Sequence, residues 1–439
     1  MIVNFSVQNY LCIKNKVKLS FEATASKDLE EYYVSKKLSG KLRLLKIGLI
    51  YGANASGKTT VLNALDFLRQ MVNDPFTKKT DVFDFEPYLF DSKTRAGNTF
   101  FSLEFIQNEV KYLYEVELNK SAIVSEKLFF YNPRKALVFS RSTDMAKQLT
   151  IINEIGSKIS LSNEHKSALE ANTLWNNSVL GGYLKTNIES FELQEVSDWF
   201  KTKLKPLIEP RTDLLAYVSS KIENKEIDTN NVVQILKKAD FNISGISIEK
   251  KELVNSPELL NLLIEKLKLY EDKKSEIKEK GVLESKEVLF HHTIENGSTV
   301  VLPYRVESAG TQRYYQFSGL LDMMIRNDVI FPIDELESSL HPDLFKYFIL
   351  TFLVNSKHSQ IIATTHHREF LMEKDILRND SIWFTDKNDA GCVDLYSLSD
   401  FDSSVIRNTT SIYNAYKIGK LGARPNLNDY FINIEDGKE

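Results

Sequence analysis

The loop at residues 52–59, GANASGKT, restricts the fold of this chain more strongly than any other part of its sequence. An apolar run at residues 47–51 leads directly into the loop, and a helical pattern at residues 59–71 follows it. The spacing is GxxxxGK followed by Thr, in which two glycines let the backbone turn tightly and point successive N–H groups inward. A buried strand, this loop and a helix together predict an α/β fold that binds phosphate where the strand ends.

The side chains of this loop have separate expected roles. Lys58 is expected to reach the β- and γ-phosphates of a nucleotide, and the Thr59 hydroxyl is expected to ligate Mg²⁺. The helix that begins near Lys58 adds the positive end of its dipole. The residues expected to contact the nucleotide are Gly52, Asn54, Ala55, Ser56, Gly57, Lys58, Thr59 and Thr60.

A second apolar run, residues 329–335 (VIFPIDE), ends in two acids and predicts another strand of the same sheet. Asp334 is expected to hold Mg²⁺ through its water shell, and Glu335 is expected to orient or deprotonate the attacking water. An Asp–Glu pair after a strand could simply open a loop, but its combination with the phosphate loop favours a nucleotide hydrolase. Pro332 is unusual here, because proline cannot donate a hydrogen bond within a central strand.

Three further segments carry recognisable chemistry. Residues 307–312 (ESAGTQ) form a glycine-containing turn before a helix that begins near Arg313, which predicts a second anion site. Residues 336–342 (LESSLHP) directly follow the acid pair. A strand at residues 360–365 (QIIATT) then leads to His366. The neighbouring His367 is expected to be structural.

In combination and order, these motifs resemble the ABC/SMC-type ATPases. The likeness is closer to the stand-alone AAA-type ATPases of abortive-infection and related phage-defence operons, and to the ATPase half of the overcoming-lysogenization-defect proteins. It is carried by GANASGKT, ESAGTQR, DELESSLHP and IIATTHH, and by segments at residues 381–384 and 416–425. It covers residues 1–140 and 287–425 and says little about the region between them.

The resemblance implies a fold and a mechanism. The expected fold is α/β, a P-loop ABC-type ATPase head with an antiparallel β-meander lobe and an inserted helical lobe. Two heads would face each other head to tail with two ATP molecules between them. Ser308 and Gly310 of one subunit would contact the γ-phosphate that Lys58 of the other subunit holds, and residues 337–340 would cross the interface. His366 would be the switch histidine that contacts the same phosphate.

The expected site follows from these assignments. The catalytic residues would be Glu335, His366 and Lys58, the metal ligands Thr59 and Asp334, and the cofactors ATP and Mg²⁺. The turn at residues 307–312 departs from the transporter pattern, because Ala309 and Thr311 stand where that pattern has glycine. No glutamine of a Q-loop is identifiable, although residues 175–177 (WNN) lie in a plausible region.

Four segments are expected along the chain. Residues 1–160 would form the first half of the head with the meander, residues 161–281 the helical lobe, residues 282–425 the second half of the head, and residues 426–439 a polar tail. Alternating and amphipathic patterns predict the elements within them. Strands are expected at residues 2–7, 17–22, 100–105, 111–118, 123–131, 137–140, 287–293 and 299–304, helices at residues 189–207, 232–239 and 257–270, and a mixed-charge run at residues 271–280.

Composition excludes several classes of protein. The 439 residues include 56 Lys plus Arg against 60 Asp plus Glu, so nucleic acid would have to be bound by a local patch. Five cations cluster between residues 36 and 46, and a solvated loop is the favoured interpretation. Cys12 and Cys392 have no zinc or disulfide spacing. The absence of a long apolar run and of a signal peptide predicts a cytoplasmic protein with no membrane partner.

The residues favour a magnesium-dependent ATPase, and the resemblance implies that it forms a homo-oligomer, a head-to-tail dimer or larger. The resemblance adds a role in phage defence, in which the ATPase senses infection and controls a separate effector protein, expected to be a nuclease. Nucleic acid is a possible further partner. The main alternative is a RecF/SMC-like DNA-repair ATPase that binds duplex DNA. A transporter subunit is disfavoured by the long insertion between Lys58 and Ser308, and a self-contained nuclease by the lack of an independent carboxylate cluster.

Overall fold

The computed structural model describes residues 1–37, 40–254, 256, 283–401 and 411–423. The chain splits into two compact units, each treated by itself below. The helix expected at residues 257–270, the charge run at residues 271–280 and the tail at residues 426–439 lie outside the described residues. The predicted boundaries at residues 161, 282 and 426 stay predictions. The first unit comprises Met1–Pro210, Asn327–Glu337 and Leu353–Glu439, and the second comprises Arg211–Arg326 and Ser338–Phe352.

The described strands are β1 (Ile2–Gln8), β2 (Val17–Ser20), β3 (Val34–Lys37), β4 (Leu42–Leu45), β5 (Ile47–Gly52), β6 (Thr99–Gln107), β7 (Val110–Leu118), β8 (Ile123–Tyr131), β9 (Lys135–Asp144), β10 (Leu149–Ile155), β11 (Gly245–Val254), β12 (Leu283–Thr293), β13 (Thr299–Pro303), β14 (Ile330–Ile333), β15 (Gln360–Thr364), β16 (Ile382–Lys387) and β17 (Val393–Ser397). The described helices are α1 (Glu30–Tyr33), α2 (Lys58–Asn73), α3 (Ser92–Ala96), α4 (Asn163–Asn172), α5 (Val179–Tyr183), α6 (Phe191–Asp198), α7 (Leu215–Glu223), α8 (Thr229–Lys238), α9 (Ala309–Arg326), α10 (Pro342–Asn355) and α11 (Ile412–Lys417).

A five-stranded sheet forms the core of the first unit, in the order β14-β15-β5-β16-β17. The first four of these strands are parallel, and β17 is antiparallel to β16. Every residue of β5 is buried, as expected for a continuous apolar run in a covered parallel sheet. The carboxyl ends of β14, β15 and β5 therefore meet at one edge, where ligands bind in open α/β sheets.

Strand β14 lies at the end of this sheet, which explains the proline within it. The register pairs Pro332 with Ile362 of β15 on one side. On the other side only isolated bridges join β14 to Leu204 and Ile208. The Pro332 carbonyl accepts a hydrogen bond from the Ile208 N–H on that outer side. Since the N–H and C=O of a strand residue point the same way, the missing donor faces an irregular segment rather than a regular ladder.

A seven-stranded antiparallel sheet in the order β10-β9-β8-β7-β6-β1-β2 forms the second layer of the first unit. The four predicted meander strands are confirmed as β6 to β9, and β10 is a further strand that the sequence pattern did not reveal. Aromatic side chains fill the space between this sheet and α2. Phe67 of α2 stacks on Phe101 with ring centroids 5.5 Å apart, and Trp199 stacks on Phe105 at 4.1 Å.

The second unit contains α7, α8, α9, most of α10 and a three-stranded antiparallel sheet, β11-β12-β13. Strand β11 lies in a region that was expected to be helical. Its sequence begins with the alternation Gly-Ile-Ser-Ile, which is typical of a strand. Its neighbouring strand in the sheet is β12, and this pairing could not be read from the local sequence. The helix predicted at residues 232–239 is confirmed as α8. Within this unit the buried Asp322 of α9 accepts hydrogen bonds from the Asn231 side chain and the Asp228 N–H.

Candidate active site

The loop between β5 and α2 has the tight backbone that its glycines predict. Gly57 has a φ of +93°, and Ala55 also lies in the left-handed region at +62°. A Cβ atom on Gly52 would stand 2.3 Å from the Ser56 hydroxyl oxygen and 2.4 Å from that of Thr385. Glycine at residue 52 is therefore required by close packing, and glycine at residue 57 by backbone conformation.

Lys58 folds back over this loop. Its ammonium group donates hydrogen bonds of 2.9 Å to the carbonyl oxygens of Gly52 and Ala53. Burial lowers the pKa of Lys58 to about 8, while the negative charges of Asp334 and Glu335 act in the opposite direction. The first turn of α2 thus holds a partly desolvated cation against the loop, opposite the acids at the end of β14.

Asp334 lies at the end of β14 and receives hydrogen bonds from two hydroxyl groups. The Thr59 hydroxyl of α2 is 3.1 Å from one carboxylate oxygen and 3.0 Å from the other. The Thr364 hydroxyl, at the end of β15, donates to Asp334 Oδ1. The two residues predicted as metal ligands, Thr59 and Asp334, are therefore in direct contact.

Glu335 adopts a left-handed backbone conformation with a φ of +46°. For a non-glycine residue this conformation costs about 1–2 kcal/mol, so the surrounding structure must hold it in place. The Glu335 N–H donates to the Thr364 hydroxyl at 2.8 Å. Its side chain is 43% exposed, and one carboxylate oxygen lies 3.7 Å from His366 Nε2.

His366 follows β15 and stands beside these acids. Burial lowers the pKa of His366, with a further contribution from the Lys58 charge. The His366 N–H donates to Glu337 Oε1. Within the described part of the chain, the other Glu337 carboxylate oxygen and the Tyr51 hydroxyl are both buried without a hydrogen-bond partner. The backbone N–H of His367 donates to the Thr365 hydroxyl at 3.0 Å, and the structural role expected of its side chain stays a prediction.

Ser308 and Gly310 lie at the start of α9 in the second unit. The Ser308 hydroxyl accepts a hydrogen bond from the Thr311 N–H at 3.1 Å, which is the geometry of a helix N-cap. Ser308 and Ala309 are exposed and Gly310 is partly exposed, so the start of α9 is accessible. His292 of β12 pairs with Glu307, directly before this turn, at 2.9 Å.

The structure therefore brings together Lys58, Thr59, Asp334, Glu335 and His366 at one edge of the five-stranded sheet. Ser308 and Gly310 are neighbours of each other in the second unit. Thr364 and the contact of Glu337 with His366 were not predicted. The available signal for Thr364 was a polar residue at the carboxyl end of an apolar strand beside the phosphate-loop strand.

Residues 175–177 do not contact the phosphate loop. The Asn177 side chain binds both the N–H and the carbonyl of Phe76, and Asn176 donates to the carbonyls of Lys78 and Asp81. These partners follow the far end of α2, whose 16 residues span about 24 Å from the phosphate loop. The region considered for a Q-loop instead secures the chain after α2.

Most cations of the cluster near residue 40 contact carboxylates or carbonyl oxygens of the same chain. Glu30 pairs with Arg43 at 3.2 Å and with Lys36 at 3.8 Å. Lys37 lies 3.9 Å from Glu109. Burial lowers the pKa of Lys46 to about 8, and its ammonium group donates to two carbonyls near the end of α10. The cluster is thus largely structural, although Lys41 is exposed.

The fold and this site define the class of protein, an AAA-type P-loop ATPase. More specifically, the chain belongs to the family described as "AAA domain, putative AbiEii toxin, Type IV TA system", whose sequence model matches residues 49–373. The match covers about three quarters of the chain and includes the phosphate loop, both acids and His366. No curated protein matches the sequence.

Remote structural likenesses include three SMC heads. The SMC head domain from Thermotoga maritima has 11% identity and a TM-score of 0.38, over 90% of this chain and 98% of that one. An SMC head bound to the C-terminal winged-helix domain of ScpA has 14% identity and a TM-score of 0.39, with 90% and 97% coverage. The Smc head with an extended coiled coil bound to the C-terminal domain of ScpA, derived from Pyrococcus furiosus, has 14% identity and a TM-score of 0.35, with 96% and 98% coverage.

Two features are absent from the described residues. Among them, no helix combines the length and apolar character needed to span a membrane. The same residues contain no cluster of three or more His, Cys, Asp or Glu side chains that could hold a metal ion.

Proposed function

We propose that this protein binds ATP with Mg²⁺ at residues 52–59 and hydrolyses it. The observation that carries the proposal is the contact of 3.0–3.1 Å between the Thr59 hydroxyl and the Asp334 carboxylate, beside the Lys58 ammonium group. Hydroxyl and carboxylate oxygens are the hard ligands that Mg²⁺ prefers, and two of them leave room for water and phosphate oxygens. The residues present therefore fit the metal that the family implies.

The loop residues would bind the triphosphate. Backbone N–H groups of residues 54–60 and the N-terminus of α2 would offer hydrogen bonds and a positive potential to the phosphates. Lys58 would exchange its two carbonyl partners for phosphate oxygens, and their negative charge would favour its protonated form. Bound Mg²⁺, held by Thr59 and Asp334, would neutralise charge that develops on the phosphates.

Glu335 and His366 would act on the attacking water and the γ-phosphate. The partly exposed Glu335 carboxylate can accept a hydrogen bond or a proton from a water molecule at this edge. His366 stands beside it, with a pKa lowered by burial and Lys58, and so offers a neutral ring that can donate one hydrogen bond. The left-handed Glu335 backbone supports a catalytic role, because strained conformations cluster at active sites.

Ser308 and Gly310 would complete the site from a second copy of the chain. An accessible helix N-terminus with a serine cap is a good partner for a phosphate group. The charge of the triphosphate needs donors from both sides, which makes the dimer depend on nucleotide. Residues 337–340 would lie at the same interface.

The biological role proposed for this ATPase is control of a separate effector protein, a nuclease, in a phage-defence or toxin–antitoxin system. The family description and the order of the motifs support this role. It predicts that an effector encoded beside this protein binds it with an affinity that depends on ATP.

Equilibrium binding and turnover test the proposed function directly. Purified protein should bind a fluorescent ATP analogue, bind it more tightly with Mg²⁺ than with EDTA, and release phosphate from ATP. ATP-dependent dimerisation should be visible by light scattering. A protein that binds no nucleotide under any of these conditions would refute the proposal.

A further inference from the structure

Thr364, the last residue of β15, is fully buried beside the two acids. It makes hydrogen bonds to three consecutive residues at the end of β14. Its hydroxyl donates to Asp334 Oδ1 and accepts the Glu335 N–H, and its carbonyl accepts the Leu336 N–H at 3.1 Å. Within the described structure, none of the residues predicted for the site bonds to both acids in this way, whereas Thr364, which was not predicted, does.

These contacts lie where the regular ladder between the two strands stops. The last register pair is Ile333 with Ala363. Beyond it the chain turns away through the left-handed Glu335, whose N–H can no longer bond along a parallel ladder. The Thr364 hydroxyl takes the place of the next ladder partner. A hydroxyl is suited to this position because it donates and accepts at the same time, whereas a carbonyl only accepts.

The same hydroxyl determines how the Asp334 carboxylate is oriented. Asp334 receives a second hydrogen bond from Thr59, but Thr59 also belongs to the proposed set of metal ligands. Thr364 is not among the expected metal ligands, so metal binding would not require its hydroxyl to give up the hydrogen bond to the carboxylate. Residues that orient a metal-binding carboxylate in this way tune its affinity without touching the metal.

We propose that Thr364 is a positioning residue, whose hydroxyl fixes the Asp334 carboxylate and the Glu335 backbone relative to each other. Metal ligation and water activation would then be aligned by one side chain on a neighbouring strand. This inference rests on the proposed function, since it concerns how the same site is held for Mg²⁺ and water.

Three variants test the positioning role. Thr364→Val keeps the shape of the side chain and removes the hydroxyl, and Thr364→Ser keeps the hydroxyl. The matched control is Thr99→Val. Thr99 lies on β6, away from the site, is buried to a similar extent, and donates its hydroxyl hydrogen to the Asn9 carbonyl. Each protein is compared in ATP turnover over a range of Mg²⁺ concentrations, in ATP binding with EDTA, and in thermal unfolding. Mn²⁺ binding to the ATP complex, measured by electron paramagnetic resonance, adds a readout that does not depend on turnover.

Thr364→Val should lower kcat and weaken Mn²⁺ and Mg²⁺ binding by about 10- to 100-fold, the range for partners of metal ligands. ATP binding with EDTA should stay within about twofold of wild type, and Thr364→Ser should recover most of the loss. Thr99→Val should leave turnover and metal binding unchanged, even where its unfolding temperature falls as far as that of Thr364→Val.

Two other outcomes would overturn the inference. Wild-type kcat and metal affinity in Thr364→Val would show that the hydroxyl positions nothing. Equal losses of turnover and metal affinity in Thr364→Val and Thr99→Val would show that only general stability is involved. A wild-type protein that itself fails to bind ATP or Mn²⁺ would instead refute the proposed function, and the positioning role with it.

Discussion

The Thr59 hydroxyl lies 3.0 Å from the Asp334 carboxylate, although 275 residues separate the two along the chain. Thr59 is in the first turn of α2 and Asp334 ends β14, so the contact joins the two sequence motifs that were assigned to nucleotide and metal. It exists because β14 and the phosphate-loop strand β5 run parallel, one strand apart, and end at the same edge.

Lys58→Ala should weaken ATP binding by about 10- to 100-fold, because hydrogen bonds to charged groups are worth about 1.5–3 kcal/mol. Fluorescence titration with an ATP analogue measures the change. Lys120→Ala is a suitable control, because Lys120 is exposed and pairs with Glu86 away from the loop. Unchanged ATP affinity in Lys58→Ala would count against the assignment of the phosphate loop.

Glu335→Gln should still bind ATP but hydrolyse it about 10²- to 10⁴-fold more slowly, the usual contribution of a general base. With hydrolysis blocked, the ATP-bound dimer should accumulate and be visible by light scattering. Glu154→Gln changes an exposed glutamate of β10 and should behave as wild type. Normal turnover in Glu335→Gln would remove this residue from the catalytic role.

Gly57→Ala should reduce the free energy of unfolding by about 2–5 kcal/mol, from left-handed strain of about 1–2 kcal/mol and overpacking of about 1–3 kcal/mol. The added Cβ would lie 2.7 Å from a Val393 methyl group. Gly297→Ala measures the backbone strain alone, because Gly297 also has a positive φ of +79° but no atom lies within 4 Å of the new Cβ.

The double variant Gly57→Ala with Val393→Ala separates the two terms by denaturant unfolding. Because Val393 is itself buried, the double variant is compared with Val393→Ala alone. Adding Gly57→Ala should cost less in the Val393→Ala background than in wild type, since the closest contacts of the new Cβ are with the Val393 methyl groups. Equal losses in Gly57→Ala and Gly297→Ala would show that Val393 imposes no constraint on the loop.

The stability of the nucleotide-free protein should rise with pH above about 8. Burial lowers the pKa of Lys58 from 10.5 to about 8. Below pH 8 both the folded and the unfolded states bind the proton, so the folded state carries the full cost of a buried charge. Between pH 8 and 10.5 the unfolded state binds more protons, and the free energy of unfolding therefore increases with pH.

Unfolding of wild type and Lys58→Met from pH 7 to 9.5 measures this contribution. Lys58→Met should be more stable at pH 7, by about 1–3 kcal/mol, and the difference should shrink as pH rises. Lys46→Met is the matched variant, because burial lowers the pKa of Lys46 to a similar value at another place. Saturating ATP should reduce the pH dependence of stability that comes from Lys58 and leave that from Lys46 unchanged. A pH-independent difference between wild type and Lys58→Met would contradict this account.

Mixing Lys58→Ala with Ser308→Arg should restore ATP hydrolysis that neither variant has alone. In a head-to-tail dimer, a mixed pair has one site with both defects and one site with neither. Phosphate release should therefore recover to no more than about half of the wild-type rate, since one of the two sites is intact. Mixed dimers that form but stay inactive would exclude shared sites, and Ser308→Arg that is active alone would exclude a role for this turn.

The sequence by itself determined the parts of the site that are contiguous in the chain. The loop at residues 52–59 could be assigned because its glycines and its lysine act through local backbone geometry, which requires no distant partner. The run at residues 329–335 could be assigned as a strand with a terminal acid pair for the same reason. The meander strands followed from their alternation, apart from β10, whose outward residues Leu149 and Ile151 are exposed and apolar.

Only the tertiary structure decided which residues hold the site together. Thr364 bonds to both acids because β15 lies between β14 and β5, and strand order depends on packing rather than on local propensity. The left-handed Glu335 has no signal in its own neighbourhood of sequence, since the hydroxyl that stabilises it is 29 residues away. Likewise, the cations near residue 40 could not be told from a nucleic-acid patch until Glu30, Glu109 and the carbonyls near the end of α10 were placed beside them. Short motifs determine which residue types a site contains. The contacts that align those residues at the edge of the sheet form only when distant segments of the chain pack together.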